Sequence, residues 1–214
     1  MASQTFHFRE DFESPRDSDW ILAAFDGALP HMAAKGSGQQ WGSRPFSERD
    51  GARDRVAGWL TMSETSRRRR DGDGEVKKDQ DGGGGGGEEG RLFIAEVELP
   101  ADADTDADTA QGWRVRTDET SGKRFLSVAA GGVRTGWWPT YFQDFEQTKQ
   151  LIKEADAEGG VMYLEVLISD FRTGSHRKGA GGALVAKIKE YALSQGAKTM
   201  YLDCFAGNGG LLVK

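Results

Sequence analysis

A polar, glycine-rich turn, SDFRTGSHRKGAGG (169–182), joins an apolar β-branched run, GVMYLEVLIS (160–169), to a segment with helical spacing at Leu184, Ile188, Tyr191 and Ala192. A strand, turn and helix in that order leave the first backbone N–H groups of the helix without intrahelical partners. The aligned peptide dipoles add about half a positive charge at the same place. That arrangement binds phosphate. Gly179, Gly181 and Gly182 allow close approach to the backbone, and Arg172, Arg177 and Lys178 bring formal positive charge nearby.

Three phosphate-binding patterns compete for this unit. A P-loop requires G-x-x-x-x-G-K-[ST], and Gly174 and Gly179 have the spacing, but Ala180 and Gly181 stand where Lys and Ser/Thr are needed. A dinucleotide fingerprint would run Gly179, Gly181, Leu184, so its third glycine is missing. The third pattern is [QR]-x-x-G-x-[GA] after a buried strand, with an Asn soon after the next strand. Here it reads His176-Arg177-Lys178-Gly179-Ala180-Gly181, followed by Asn208 in LDC-x-A-x-N. On these residues the stretch from about Gly160 to Lys214 resembles the GNAT superfamily of acyl-CoA-dependent N-acetyltransferases, with His176 where the family has Gln or Arg. Residues 1–159 resemble it only in element order, two early helices and then an antiparallel meander.

The resemblance implies a site. The backbone at Leu167 and Ile168 would pair with the pantetheine amides where this strand splays from its neighbour. His176, Arg177, Lys178, Gly179, Ala180, Gly181 and Gly182 would form the pyrophosphate loop, and Asn208 would bond near the pantetheine or cap the last helix. The family transfers an acetyl group from the thioester of acetyl-CoA directly to an amine. The protein then positions a neutral amine and stabilises an oxyanion, with a backbone N–H near Ile168 as its donor. Glu165, on the same strand, is the candidate general base. Its other reading is a carboxylate held by a backbone or arginine partner. A small-molecule amine is the expected acceptor. In that family the helix after Asn208 carries a Tyr that protonates the thiolate, and two strands follow it. Only Gly209–Lys214 follow here, so the expectation is coenzyme A affinity with weak or absent turnover. The open sheet edge would suit a second copy in a homodimer. A catalytically weak CoA-binding module is thus the alternative to the enzyme.

Other features carry less. LDCFAGNGG (202–210) is similar to the strand-and-glycine motif with which methyltransferases bind S-adenosylmethionine, but only four residues follow it. Cys204, the single cysteine, excludes a disulfide framework and a cysteine zinc site, and it reads as a small apolar residue. His7, His31 and His176 lack metal spacing. Trp41, Trp137 and Trp138 suit either an acceptor pocket for a planar or cationic group or core packing.

The formal charge is −6, yet Gly160–Lys214 carries seven Lys/Arg against four Asp/Glu. The acidic balance argues against nucleic acid, while the basic C-terminal quarter suits a small anion. The N-terminus has no apolar signal region, and no stretch approaches a membrane span, so the expected compartment is the cytoplasm.

A length of 214 residues fits one domain. The expected class is α/β or α+β, a mixed, mostly antiparallel sheet with flanking helices. Flexible insertions are expected at 64–90, with its Arg67–Arg70 run and six glycines, and at 101–110. Strands are expected at Phe6–Arg9, Arg91–Leu99, Trp113–Arg116, Lys123–Ala130, Gly160–Ser169 and Thr199–Cys204. Helical spacing covers Ile21, Phe25, Leu29 and Met32, with Pro30 ending or bending that helix. Gly36–Gly42 reads as a loop exposing Trp41. Ser47 caps a helix through Ala52, Val56, Trp59 and Leu60. Gln143–Ala157 and Gly181–Gln195 are the last two helices.

Overall fold

Alternating apolar residues and β-branched runs build six strands, and these pair into one mixed sheet. The structure is a computed structural model that describes residues 4–72, 89–101 and 112–204. The strands are β1 (His7–Arg9), β2 (Glu89–Glu98), β3 (Val115–Thr117), β4 (Arg124–Thr135), β5 (Val161–Ser169) and β6 (Thr199–Tyr201). Their order is β1-β2-β4-β5-β6, antiparallel except for the parallel β5–β6 pair. β3 pairs with the first residues of β4, on the edge that β5 occupies further along. The helices are α1 (Arg16–Ala34), α2 (Gly38–Trp41), α3 (Ala52–Asp71), α4 (Glu146–Glu158) and α5 (Ala180–Ser194). The class is the mixed sheet with flanking helices that the sequence implies.

Two cores lie on opposite faces of the sheet. On one, Trp20, Ile21 and Phe25 of α1 and Val56, Trp59 and Leu60 of α3 pack on Leu92, Ile94, Ala130, Val166 and Ile168. On the other, Ala180, Leu184, Ile188 and Ala192 of α5 cover Phe93, Ala95, Ala129, Val133, Met162 and Leu164. Ile188 and Leu184 are fully buried, and α5 is thereby anchored along the strands that lead into its own N-terminus.

Several expected elements differ. α1 runs through Pro30 to Ala34. Pro30 forfeits one bond to the Asp26 carbonyl, but Met32 beyond it packs on the first core and its carbonyl accepts the Lys35 and Ser37 N–H groups. Gly36–Gly42 contains the single turn α2, and Trp41 is half-buried, 6.1 Å from Phe25, rather than exposed. Ser47 caps no long helix; it sits in a 3-10 turn and donates its N–H and Oγ to Asp26. Gly51 at φ +72° starts α3 instead.

Residues 64–71 and 89–90, expected within a flexible insertion, belong to a helix and a strand. α3 continues to Asp71, because Ser63 Oγ and Ser66 Oγ, one turn apart, accept the Leu92 and Gly90 N–H groups and dock the helix on β2. Arg68–Arg70 fall in its last turn, where positive charge complements the dipole. Most of the remainder of that stretch, and of the 101–110 segment, lies outside the described residues. β4 runs past the expected end at Ala130 through Gly131 and Gly132, where side chains from neighbouring elements leave no room for more. A Cβ on Gly132 would stand 3.0 Å from both Leu92 Cδ1 and Val166 Cγ1. Phe145 precedes α4 and is exposed, whereas Ile152 and Ala155 are buried.

Candidate functional site

The centre of the site is β5, whose sequence YLEVLI reads as an uninterrupted apolar strand. Its pairing with β4 slips between Gly132/Val166 and Val133/Leu164, which leaves Glu165 as an extra, bulged residue. The slip has a visible consequence. Met162 and Leu164 face α5, whereas Val166 and Ile168, at the same alternation, face α1 and α3. A second slip, opposite Ala95 and Glu96, leaves Val128 extra in β4, and its carbonyl accepts the Asp170 N–H at 2.8 Å.

On its other side β5 loses its neighbour. β6 pairs only with Val161–Tyr163. From Leu164 onward that edge of β5 meets no strand among the described residues, and Leu167 is 43 % exposed beside it. β5 then passes through a 3-10 segment, Phe171–Arg177, into α5. Asp170 caps that segment: its carboxylate accepts the Arg172 N–H and is gripped by Arg172 at 2.8 and 2.7 Å. Trp20 Nε1 donates to the same carboxylate at 2.9 Å, so this corner is locked to α1. Arg172 is therefore committed to Asp170, although its sequence position placed it with the free positive charges.

Gly179 precedes α5 at φ +90°, a conformation a side chain would strain, and supplies no side-chain cap. The first intrahelical bond is Ala183 N–H to Gly179 O at 3.0 Å, so the N–H groups of Ala180, Gly181 and Gly182 have no partner within the helix. Ala180 is buried beneath α5, and nothing lies within 4 Å of where a Gly182 Cβ would stand. The side chains around the turn spread apart. Arg177 stacks on Phe171 at 3.7 Å, and Phe171 stacks on His31 at 4.2 Å. His176 meets Trp113 edge-on at 5.5 Å, and its carbonyl accepts from Gln4 Nε2. Lys178 is exposed.

Compared with known proteins, the chain matches no family model, no curated protein and no solved structure.

The structure thus brings together most of the residues that the sequence singled out: Glu165, Leu167 and Ile168 on one strand and 176–182 at the head of the helix that follows it. Asn208 and most of Leu202–Gly210 lie outside the described residues. The Glu165 carboxylate is held by Arg134 Nε at 2.7 Å, the arginine-partnered alternative open from the sequence. Arg134 in turn lies 4.3 Å above the Trp137 ring. Cys204 is exposed, beyond the end of β6. No group of three or more potential metal ligands occurs among the described residues, and none of their helices is long and apolar enough to cross a membrane.

Two groupings escaped the sequence reading. The first is a buried charge network: Asp17, with no exposed surface, accepts from Arg9 at 2.7 and 3.0 Å, from Arg114 at 3.0 Å and from the Glu13 N–H. Glu96, equally buried, takes Arg9, Arg116 and Ser127. Burial alone would raise the Asp17 carboxyl. The bonds and charge of Arg9, with the Glu13 N–H and Arg114, overcome it and hold the group below the usual carboxylate range. This network ties β1, α1, β2 and β3 together at the base of the sheet.

The second grouping stands where β6 leaves β5. Tyr163, 1 % exposed, and Tyr141 both donate their hydroxyls to Asp203. Burial first, and the Asp203 carboxylate second, push the Tyr163 phenol well above its ordinary value. Tyr163 and Asp203 lie inside YLEVLI and LDC, where strand composition hides any other role. Their only signal is a hydroxyl on β5 and a carboxylate two residues beyond the strand that pairs with it.

Proposed function

We propose that this chain binds acetyl-CoA and transfers its acetyl group to a primary amine of a small molecule. One observation carries the reading: among the described residues the edge of β5 beyond Tyr163 has no neighbouring strand, and β5 leads through the Phe171–Arg177 segment to the uncapped, glycine-lined N-terminus of α5. Extended pantetheine would complete the sheet along Leu164–Ser169, and the N–H groups of Gly181 and Gly182 would take the diphosphate at the positive end of the helix. Gly182 leaves the space open, and the exposed Lys178 just before the helix adds positive charge. The likeness to the GNAT superfamily in His176–Gly181 and in the strand before it supports the same reading.

In this arrangement the thioester lies beside the Glu165 bulge. The amine nitrogen attacks the carbonyl carbon, a backbone N–H near Ile168 stabilises the oxyanion, and the tetrahedral intermediate collapses with loss of the thiolate. Glu165 takes the amine proton only when Arg134 yields it. A binding module without turnover is the second reading, favoured by the same Glu165–Arg134 pair, which occupies the carboxylate offered as base. Calorimetric titration with acetyl-CoA, followed by an amine panel scored by thiol release, tests both. Binding with thiol release supports the enzyme, binding alone supports the module, and absence of binding removes both.

A further inference from the structure

At the mouth of the β5–β6 split, two carboxylates are served by neutral donors alone. Asp203 accepts from Tyr141 at 2.8 Å and from Tyr163, and Asp156 accepts from Trp138 Nε1 at 3.0 Å. Among the described residues neither pairs with a lysine or arginine. Three carboxylates that are buried or nearly so are treated differently: Glu165 has Arg134, Glu96 has Arg9 and Arg116, and Asp17 has Arg9 and Arg114. Negative charge at this end of the sheet is therefore left without a cationic partner among the described residues. It sits on an aromatic cluster in which Trp138 lies 4.9 Å from Tyr201 and 6.1 Å from Tyr163.

The cluster is reachable. Asp203 is exposed, and Tyr141 is 47 % exposed. Each Asp203 oxygen receives one phenol and retains acceptor capacity for a further donor, since an ionised carboxylate offers about four lone-pair sites. Burial raises the Tyr141 phenol; Tyr163 opposes that shift and Asp203 adds to it, so both phenols stay neutral donors near neutrality. A carboxylate with spare acceptor sites beside exposed ring surface is the complement of a cation with N–H donors and a short apolar stem.

We propose that Asp203, with Tyr141 and the Trp138–Tyr201 aromatic edge, binds the head group of an alkylammonium ion. Its assignment as the acceptor end of the site rests on the acetyltransferase reading; the binding itself rests on the cluster. Tyr163 precedes the Glu165 bulge by two positions on β5, so an amine delivered here enters beside the strand edge that would hold the thioester.

The test is a titration of the full chain with n-butylammonium chloride, read by calorimetry and by tryptophan fluorescence, with n-butanol as the neutral isostere. The wild-type chain should saturate with butylammonium and ignore butanol. D203N should bind at least tenfold more weakly while keeping the native far-UV circular dichroism. Y141F, which keeps the charge, should weaken binding by only a few-fold. Absence of saturation, equal affinity in D203N, or equal binding of butanol overturns the proposal. A parallel acetyl-CoA titration separates the two readings. Asp203-dependent ammonium binding without acetyl-CoA binding leaves this site and removes the acetyltransferase. Acetyl-CoA binding without ammonium binding does the reverse.

Discussion

Gly182→Asp separates folding from anion binding, because the two respond to it with opposite sign. Gly182 is the third residue of α5, its φ is not in the left-handed region, and a Cβ there meets nothing within 4 Å. An aspartate in the first turn of a helix faces the positive end of the dipole, a gain of about 0.3–1 kcal/mol, and replacing glycine in a helix adds a few tenths. For a chain of this size that amounts to roughly 1–4 °C in melting temperature. The same carboxylate stands where the diphosphate would lie. At about 5 Å and an effective dielectric between about 20 and 80, each pair of like charges costs ~1–3 kcal/mol. Affinity for acetyl-CoA should therefore fall about ten- to hundredfold while the protein becomes slightly more heat-stable. Differential scanning calorimetry and isothermal titration on one preparation read both quantities. Wild-type affinity in a folded Gly182→Asp protein would refute the placement of the diphosphate.

Three further substitutions address other parts of the account. Asp17→Asn removes the charge between buried Arg9 and Arg114 and should cost about 3–5 kcal/mol in urea unfolding, the usual effect of breaking a buried pair. Because the folded-state pKa of Asp17 is depressed, its stabilisation is present above its unfolded value, about 3.9, and is lost as pH falls through the folded value. The variant should flatten that part of the acid limb, and an unchanged limb would exclude the network as its source. Gly132→Val places its Cβ against Leu92 and Val166 at 3.0 Å and should destabilise by at least ~1–3 kcal/mol, read as a lowered urea midpoint. Glu165→Gln should abolish the acidic limb of the pH–rate profile for amine acetylation if Glu165 is the base, and an intact limb removes it from the mechanism.

The strands and helices were legible wherever one periodicity held over several residues, as at Leu184, Ile188 and Ala192 of α5 or along Arg91–Leu99. The phosphate-binding candidate was legible too, because glycines at 179, 181 and 182 after an apolar strand have a local physical meaning. What stayed hidden depends on partners far away in sequence. The helix through Glu64–Asp71 is docked by Ser63 and Ser66 meeting β2, contacts that no local window of sequence displays. The bulge at Glu165 exists only in relation to Gly132 and Val133, and a run such as YLEVLI gives the same pattern with or without it. Arg172 looked available because its partner Asp170 is held in place by Trp20, 150 positions away. The Asp203 cluster likewise joins residues 62 and 40 positions apart, so no window of the sequence contains it.

The most direct measurement is the backbone amide spectrum of the isotopically labelled chain during titration with coenzyme A and, separately, with pantetheine lacking the diphosphate. Saturating shifts of the Gly181 and Gly182 amides with coenzyme A, absent with pantetheine, are the expected outcome. If those two amides remain still while the nucleotide binds elsewhere or not at all, the account is contradicted.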